Sequence, residues 1–176
     1  SIVSPGGVLG PFDFKPSRMG EVLIQLHKRR IPALVDGGFA WVDVRDVTDA
    51  AIAAEEKGKP GERYILGGEN LTLCDILLIL GRITGRPAPG LRLPNRLLMP
   101  LAYVAEGWNR LISSETRLTV DSVKMARKRM FFSSEKAFRE LGFVSRSAEQ
   151  ALTEAVRWFG ENGYFKSPVS SAIQPR

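Results

Sequence analysis

The sequence predicts an α/β protein whose early strands are covered by helices and whose later part is mostly helical. Two observations carry this prediction. The run Arg63–Leu66 is a short strand that stops at Gly67-Gly68 and leads into a capped helical pattern, which is the strand-to-helix order of an α/β sheet. Beyond Gly90, most apolar residues recur at the three- and four-residue spacing of amphipathic helices.

Helices and extended segments alternate through the first half of the chain. The helices open at residues whose side chains accept a hydrogen bond from a free backbone N–H, and they stop near proline or glycine. The predicted elements are a strand at Ile2-Val3, a Gly/Pro loop through Pro16, a helix over about 18–30 capped by Ser17, strands at 33–35 and 39–42, a helix from Asp43 to near Gly58 with Asp46 reaching back to the cap, the strand at 63–66, and a helix opened by a Thr72/Asp75 capping box and ended by Gly85.

The second half is predicted to be helical with one extended interruption. Helices are expected over about 95–112, 119–129, 135–141 and 148–162, and Ser147 with Gln150 forms a capping box for the last. Met130-Phe131-Phe132 is the extended interruption. From Ser167 onward the chain is polar and punctuated by proline, so we expect a flexible tail over 167–176.

Composition excludes several classes of protein and site. One cysteine, Cys74, rules out an internal disulfide, and one histidine with one cysteine cannot form a common zinc site, so no metal is predicted. His27 is expected at the surface of a basic helix end. The longest apolar run, residues 97–105, has about half the length that a bilayer requires. We therefore expect no membrane span and a reducing, cytoplasmic setting.

The net charge of +6, from 25 basic and 19 acidic residues, raises nucleic acid as a partner. The two densest basic clusters, residues 27–30 and 124–129, lie near the ends of predicted helices, where cations complement the helix dipole. No aromatic interleaving accompanies them. The sequence therefore predicts no nucleic-acid partner.

Neither glycine-rich loop forms a pyrophosphate cradle. That cradle needs a tight turn that opens straight into a helix, whose N-terminus then faces the phosphates. Pro11 follows Gly10 at once, and no helix is predicted before Arg18. The Gly67-Gly68 pair lacks a third glycine at the required spacing.

Three segments, in this order, resemble the extended short-chain dehydrogenases/reductases, the NAD-dependent epimerase/dehydratase superfamily. Residues 4–11 resemble the Pro-x-x-Val-x-Gly-Pro stretch that follows the catalytic helix of that family. Residues 41–47 resemble its aromatic-Val-x-Val-x-Asp-Val element. Residues 61–72 are most similar to the dihydroflavonol-reductase-like and hopanoid-associated sugar epimerase branch. Weaker likeness continues through 130–134 and 158–164, so the resemblance spans nearly the whole chain.

The resemblance implies a fold, a cofactor and a site. Residues 1–70 would hold the closing strands of a doubly wound, Rossmann-type sheet interleaved with substrate-lobe segments, and residues 71–166 a mainly helical substrate-binding lobe. NAD or NADP would bind in the intact protein. The residues implied to line the nicotinamide are Pro5, Gly6, Gly7 and Val8, and those implied to face substrate are Met19 and Leu23, within residues 15–26, and Trp41, which is equally compatible with the core.

The catalytic pair of this family is missing from the sequence. A tyrosine four residues before a lysine supplies the proton that accompanies hydride transfer. The residues four places after Tyr64, Tyr103 and Tyr164 are Gly68, Gly107 and Pro168. No catalytic residue is assigned, and because the chain starts Ser1-Ile2-Val3 without a methionine, we expect the pair to lie in a preceding segment and this chain alone to be inactive.

One departure from the family pattern narrows the range of expected substrates. Epimerases of nucleotide sugars usually carry an arginine just before the aromatic residue of the second motif, where this chain has Phe39-Ala40. The resemblance thus favours a less charged alcohol, ketone or aldehyde over a UDP- or GDP-sugar. It still allows a small-molecule sugar, and it allows a homodimer in the intact protein. Two alternatives stay open, a non-catalytic member that senses dinucleotide or docks a protein, and an RNA-binding relative, which salt-dependent RNA binding would reveal.

Overall fold

The computed structural model describes residues 1–28, 37–85 and 128–164. The strands are β1 (Ile2–Pro5), β2 (Gly7–Leu9), β3 (Gly38–Asp43), β4 (Arg63–Leu66), β5 (Glu69–Thr72) and β6 (Arg129–Met130). The helices are α1 (Arg18–His27), α2 (Val44–Lys57), α3 (Leu73–Thr84), α4 (Glu135–Leu141) and α5 (Ala148–Glu161).

The strands form two sheets. Strands β1 and β4 pair in parallel, with Pro5 opposite Leu66. Strand β3 is the centre of the second sheet, where it pairs in parallel with β2 and β6 and antiparallel with β5. We call β1, β4, α2 and α4 the parallel unit, and β2, β3, β5, β6, α1, α3 and α5 the mixed unit.

Strand β3 is shared between two hydrophobic clusters because successive side chains of a strand face opposite sides. Trp41 lies in the cluster with α1, α3 and α5, whereas the next residue, Val42, lies in the cluster with β4, α2 and α4. Both side chains are almost completely buried. One six-residue strand therefore joins the cores of the two units.

A glycine pair follows each strand of the parallel sheet, and both pairs pack on β3. A Cβ on Gly6 would lie 2.1 Å from the Ala40 carbonyl oxygen, and one on Gly68 would lie 2.3 Å from the Trp41 carbonyl oxygen. Gly68 also donates its N–H to the Trp41 carbonyl at 2.9 Å. The chain thus crosses from β1 to β2, and from β4 to β5, at positions where only glycine lets the backbones approach. We call these the glycine crossovers, residues 6–7 and 67–68.

The structure confirms the fold class and most predicted elements. The α/β architecture with parallel strands is present, and Ile2-Val3 pairs in parallel with Arg63-Tyr64. The Ser17 and Asp43 N-caps form, as do both capping boxes, Thr72 with Asp75 and Ser147 with Gln150. Gly85 and Gly142 end α3 and α4 in the left-handed conformation.

Six expectations are corrected. Residues 7–9 and 69–72 are strands, not loop and helix entry, because both pair with β3. Helix α1 ends at His27, which is buried rather than at the surface. Asp46 does not reach back to the α2 cap, because its carboxylate accepts hydrogen bonds from the backbone and side chain of Arg146. Arg129 belongs to β6 and not to a helix.

Several predicted elements lie outside the described residues. They are the strand at 33–35, the helices at 95–112 and over 119–127, and the tail at 167–176. Within the described ranges, no helix is long and apolar enough to cross a membrane. The resemblance implies a boundary between two segments at position 70, and both hydrophobic clusters contain residues from each side of it.

Candidate functional site

A narrow cleft of about 370 Å³ lies beyond the carboxyl ends of β2 and β3 and beside the start of α1. Ligands of open α/β sheets bind at this end of parallel strands, because the connections diverge there and leave a crevice. Ten residues line the cleft: Val8, Leu9, Gly10, Pro11, Phe12, Asp13, Ser17, Arg18, Met19 and Val44. We refer to it below as the narrow cleft.

The N-terminus of α1 is already occupied by a carboxylate. Asp13 accepts hydrogen bonds from the Ser17 backbone N–H at 2.8 Å and from the Ser17 hydroxyl at 2.8 Å. A Cβ at Gly20 would lie 2.2 Å from Oδ2 of Asp13, so the glycine leaves room for the carboxylate. A helix N-terminus otherwise attracts phosphate groups. Here the Asp13 carboxylate bonds to the N-cap residue and makes this edge of the cleft acidic.

Two buried carboxylates and their partly exposed arginine partners lie at the carboxyl end of β3. The Asp43 side chain is 0% exposed. It accepts hydrogen bonds from Nε and Nη2 of Arg45, at 2.9 and 2.6 Å, and from the Arg45 backbone N–H. Burial alone would raise the pKa of Asp43, but the hydrogen bonds from Arg45 hold it below its usual value. The ion pair of Asp46 with Arg146 joins α2 to the segment before α5. Val44, which lines the narrow cleft, stands in the chain between the two partners of the Asp43–Arg45 ion pair.

A second, wider cleft of about 860 Å³ lies at the carboxyl end of β4. The second glycine crossover forms one wall, where Ser134 exchanges hydrogen bonds with the backbone of Gly67. Exposed apolar side chains of Phe131, Phe132, Phe138 and Val144 form much of the rest. None of the residues predicted to bind cofactor or substrate lies in this wider cleft.

The structure brings some of the predicted site residues together and separates others. Val8 and Met19 both line the narrow cleft, and Pro5, Gly6 and Gly7 lead into it along the chain. Leu23 and Trp41 are buried in the core of the mixed unit, and the Trp41 indole N–H donates to the Leu71 carbonyl at 3.0 Å.

The absence of a side chain at Gly7 has a packing explanation. A Cβ there would lie 2.8 Å from the Trp41 ring. A larger residue at position 7 therefore disturbs the core of the mixed unit as well as any ligand beside the loop.

Sequence reasoning missed much of the narrow cleft. Phe12, Asp13 and Val44 are among the lining residues and were assigned no binding role. A signal for Asp13 exists in its spacing, since it stands four residues before the N-cap Ser17 and bonds to it. The hydroxyls of Tyr64 and Tyr164 are bonded to Glu140 and to the Phe14 carbonyl. Across the described ranges, no group of three potential metal ligands occurs.

Comparison with known proteins adds relatives of clear similarity. No protein-family model matches the chain. A Synechocystis protein named for dihydroflavonol 4-reductase is 39% identical over 170 residues, covering 94% of this chain and 50% of the relative. Sterol demethylase protein B of Methylococcus capsulatus is 35% identical over 165 residues, covering 93% and 50%. The chain thus spans about half the length of the curated relatives it matches.

This chain also matches about half the length of each of two solved structures. A nucleoside-diphosphate-sugar epimerase from Pseudomonas aeruginosa superposes with a TM-score of 0.74 at 32% identity, covering 93% of this chain and 49% of that structure. UDP-glucuronic acid 4-epimerase from Bacillus cereus, solved with UDP-glucuronic acid and NAD, gives a TM-score of 0.62 at 16% identity, covering 92% and 45%. The second likeness concerns the fold alone.

Proposed function

Since this chain belongs to the NAD-dependent epimerase/dehydratase superfamily of extended short-chain dehydrogenases/reductases, we propose that it is the substrate-side part of an oxidoreductase or epimerase. The reaction would take place at a carbinol or carbonyl carbon and use NAD or NADP. The observation that supports this most is the narrow cleft. It joins Val8, from the segment expected at the nicotinamide, to Met19, from the helix expected at the substrate.

The described residues suit the nicotinamide end of a dinucleotide and not its phosphates. Val8 and Pro11 offer apolar surface to a ring, and Pro5 lies exposed where β1 ends. The start of α1 is bonded to the Asp13 carboxylate, and the start of α2 is capped by the Asp43 carboxylate, so both helix starts disfavour a pyrophosphate. The nicotinamide would accept or supply the hydride. In this proposal the role of the chain is to orient that ring, exclude water and hold the substrate against it.

An uncharged substrate suits the narrow cleft better than a nucleotide sugar. Six of its lining residues, Val8, Leu9, Pro11, Phe12, Met19 and Val44, offer apolar side chains. Asp13 places a negative charge at the start of α1, and the other helix start in the lining, that of α2 at Val44, is capped by the Asp43 carboxylate. A diphosphate would meet that charge with Arg18 as the single basic residue among the lining residues. We therefore propose an alcohol, ketone, aldehyde or uncharged sugar as the substrate.

A non-catalytic role is the second candidate. The sequence has no tyrosine four residues before a lysine. If the complete gene product also lacks this pair, a dinucleotide sensor or a docking protein of the same family is favoured over an enzyme.

The test uses the complete gene product that contains this chain. Oxidation of NADH and NADPH is followed with aryl and alkyl ketones, and UDP-glucose binding is measured by calorimetry. We expect turnover with at least one ketone and no UDP-glucose binding below millimolar concentration. Micromolar binding of UDP-glucose with no ketone turnover would refute the proposed substrate class. Binding of NAD or NADP without any turnover would favour the sensor.

A further inference from the structure

One residue of the narrow cleft has a backbone conformation that bulky residues rarely adopt. Phe12 has φ of 70°, and among the described residues it is the only one other than glycine with a positive φ. In this region the Cβ of an L-residue crowds its own backbone, and asparagine tolerates the crowding better than an aromatic residue does. Such strain persists where the surroundings impose it, and it concentrates at ligand sites.

Core packing does not account for a phenylalanine at this position. The Phe12 side chain is 65% exposed, and its ring centroid lies 6.4 Å from that of Trp158. Phe14, two residues on, is equally exposed at 69% and makes a closer, edge-on contact with Trp158 at 5.0 Å. Of these two phenylalanines, only Phe12 lines the narrow cleft. The strained residue is therefore the one that turns a large apolar surface towards the cleft and leaves it open to water.

We propose that Phe12 is a specificity-determining residue, whose ring forms the wall against which the apolar part of the substrate packs. This inference rests on the proposed function, because it takes the narrow cleft as the substrate site. Met19 and Val44 also line the cleft and supply further apolar surface. A bound apolar group would cover the Phe12 ring. Removal of that ring from water would contribute favourable hydrophobic free energy to binding. Asp13, next in the chain, disfavours anionic groups at this wall.

Binding of a neutral apolar fluorophore, N-phenyl-1-naphthylamine, tests the inference without any need for turnover. The complete gene product and its Phe12→Asn and Phe12→Leu variants are titrated with the probe. We expect the dissociation constant to rise about tenfold or more in Phe12→Asn, since asparagine keeps the backbone conformation and removes the ring. Phe12→Leu keeps apolar surface, so its dissociation constant should lie between those of the parent and of Phe12→Asn. The thermal midpoint of Phe12→Asn should equal or exceed that of the parent, because the strain is relieved.

Two matched controls separate this wall from other exposed rings. Phe14→Asn removes an equally exposed ring of the same loop, and Phe138→Gln removes an exposed ring of the wider cleft. Both should leave the dissociation constant within about twofold, well short of the 1.4 kcal/mol that a tenfold change represents.

The outcomes that overturn the inference are distinct from those that overturn the proposed function. Absence of probe binding, an unchanged dissociation constant in Phe12→Asn, or an equal loss in either control would each refute the role of Phe12. A lower thermal midpoint in Phe12→Asn would also refute it, because the ring would then serve folding. If the probe results are as expected but no ketone is turned over, the proposed function fails and the apolar wall stands.

Discussion

The parallel unit and the mixed unit differ in how their sheets are completed. In the mixed unit, β3 is hydrogen-bonded on both edges and lies against α5. In the parallel unit, β1 and β4 pair only with each other among the described residues. A two-stranded sheet is marginal by itself, so α2, α4 and the Val42 face of β3 must stabilise it. The mixed unit, whose β2 and α1 line the narrow cleft, is therefore the more self-contained one, and the parallel unit depends on it through β3.

The largest expected effect comes from the first glycine crossover, which ties both units to β3. In Gly6→Val the new Cβ would lie 2.1 Å from the Ala40 carbonyl oxygen, a backbone atom that cannot move without displacing β3. We expect a loss of more than about 4 kcal/mol in the free energy of unfolding, or no folded protein at all. Urea denaturation followed by circular dichroism measures the loss.

Gly61→Asn serves as the control for this substitution. Gly61 has φ of 79° and no atom within 4 Å of a built Cβ, and asparagine tolerates this conformation. We expect a change of less than about 1 kcal/mol. Stability of Gly6→Val close to that of the parent would show that β1 and β3 can separate, and the dependence of one unit on the other would have to be abandoned.

A matched pair of leucines tests whether the units unfold together. Leu66 of β4 and Leu80 of α3 are both buried, one in each cluster. Truncation of either to alanine should cost about 2–5 kcal/mol. Trp41 and Trp158 lie in the mixed unit and report its unfolding by fluorescence, provided that Trp108, outside the described residues, is replaced by phenylalanine.

Because β3 carries residues of both clusters, we expect both truncations to shift the tryptophan-monitored urea midpoint by similar amounts. A shift with Leu80→Ala alone would mean that the mixed unit unfolds independently of the parallel unit.

The helices of both units have local sequence signals, but the two units differ in how far the sequence predicts their strands. In the parallel unit, β4, α2 and α4 have local signals, namely a β-rich run before a glycine pair, and caps at Asp43 and Gly142. In the mixed unit, β2 is the three residues Gly7–Leu9 and β5 is the polar run Glu69–Thr72. Neither segment has the residue pattern of a strand. Both are extended because they pair with β3, which is remote from them in the sequence.

The candidate site also contains residues that the sequence indicates and residues that only the fold reveals. The resemblance selected Val8 and Met19, which the structure brings into one cleft, since both belong to segments near recognisable motifs. Leu23 and Trp41 fit a helical stripe and an aromatic motif equally well as core residues, and the structure buries both. Phe12 and Asp13 were missed because their importance depends on a positive φ and on a hydrogen bond to Ser17. No sequence pattern records the first of these.

The smallest expected effect is a pH-dependent one at Asp43, where β3 of the mixed unit passes into α2 of the parallel unit. The carboxylate accepts three hydrogen bonds from Arg45, whose guanidinium also approaches Glu154 of α5 at 3.7 Å. Burial opposes ionisation of Asp43, but these bonds outweigh it and lower its pKa in the folded state. The stabilisation is therefore complete above the unfolded pKa of about 3.9, and it is lost as the pH falls through the lower folded value.

Asp43→Asn should cost about 1.5 kcal/mol at pH 7, the lower end for hydrogen bonds to a charged group, since Arg45 is partly exposed to water. The difference in thermal midpoint between parent and variant should then shrink as the pH falls below about 4, because the parent becomes protonated while asparagine does not titrate. Asp49→Asn, on the exposed side of α2, should leave the midpoint at pH 7 within about 1 °C of the parent. A difference that stays constant down to pH 2 would show that the charge of Asp43 does not link the two units, and that only its shape at the N-cap matters.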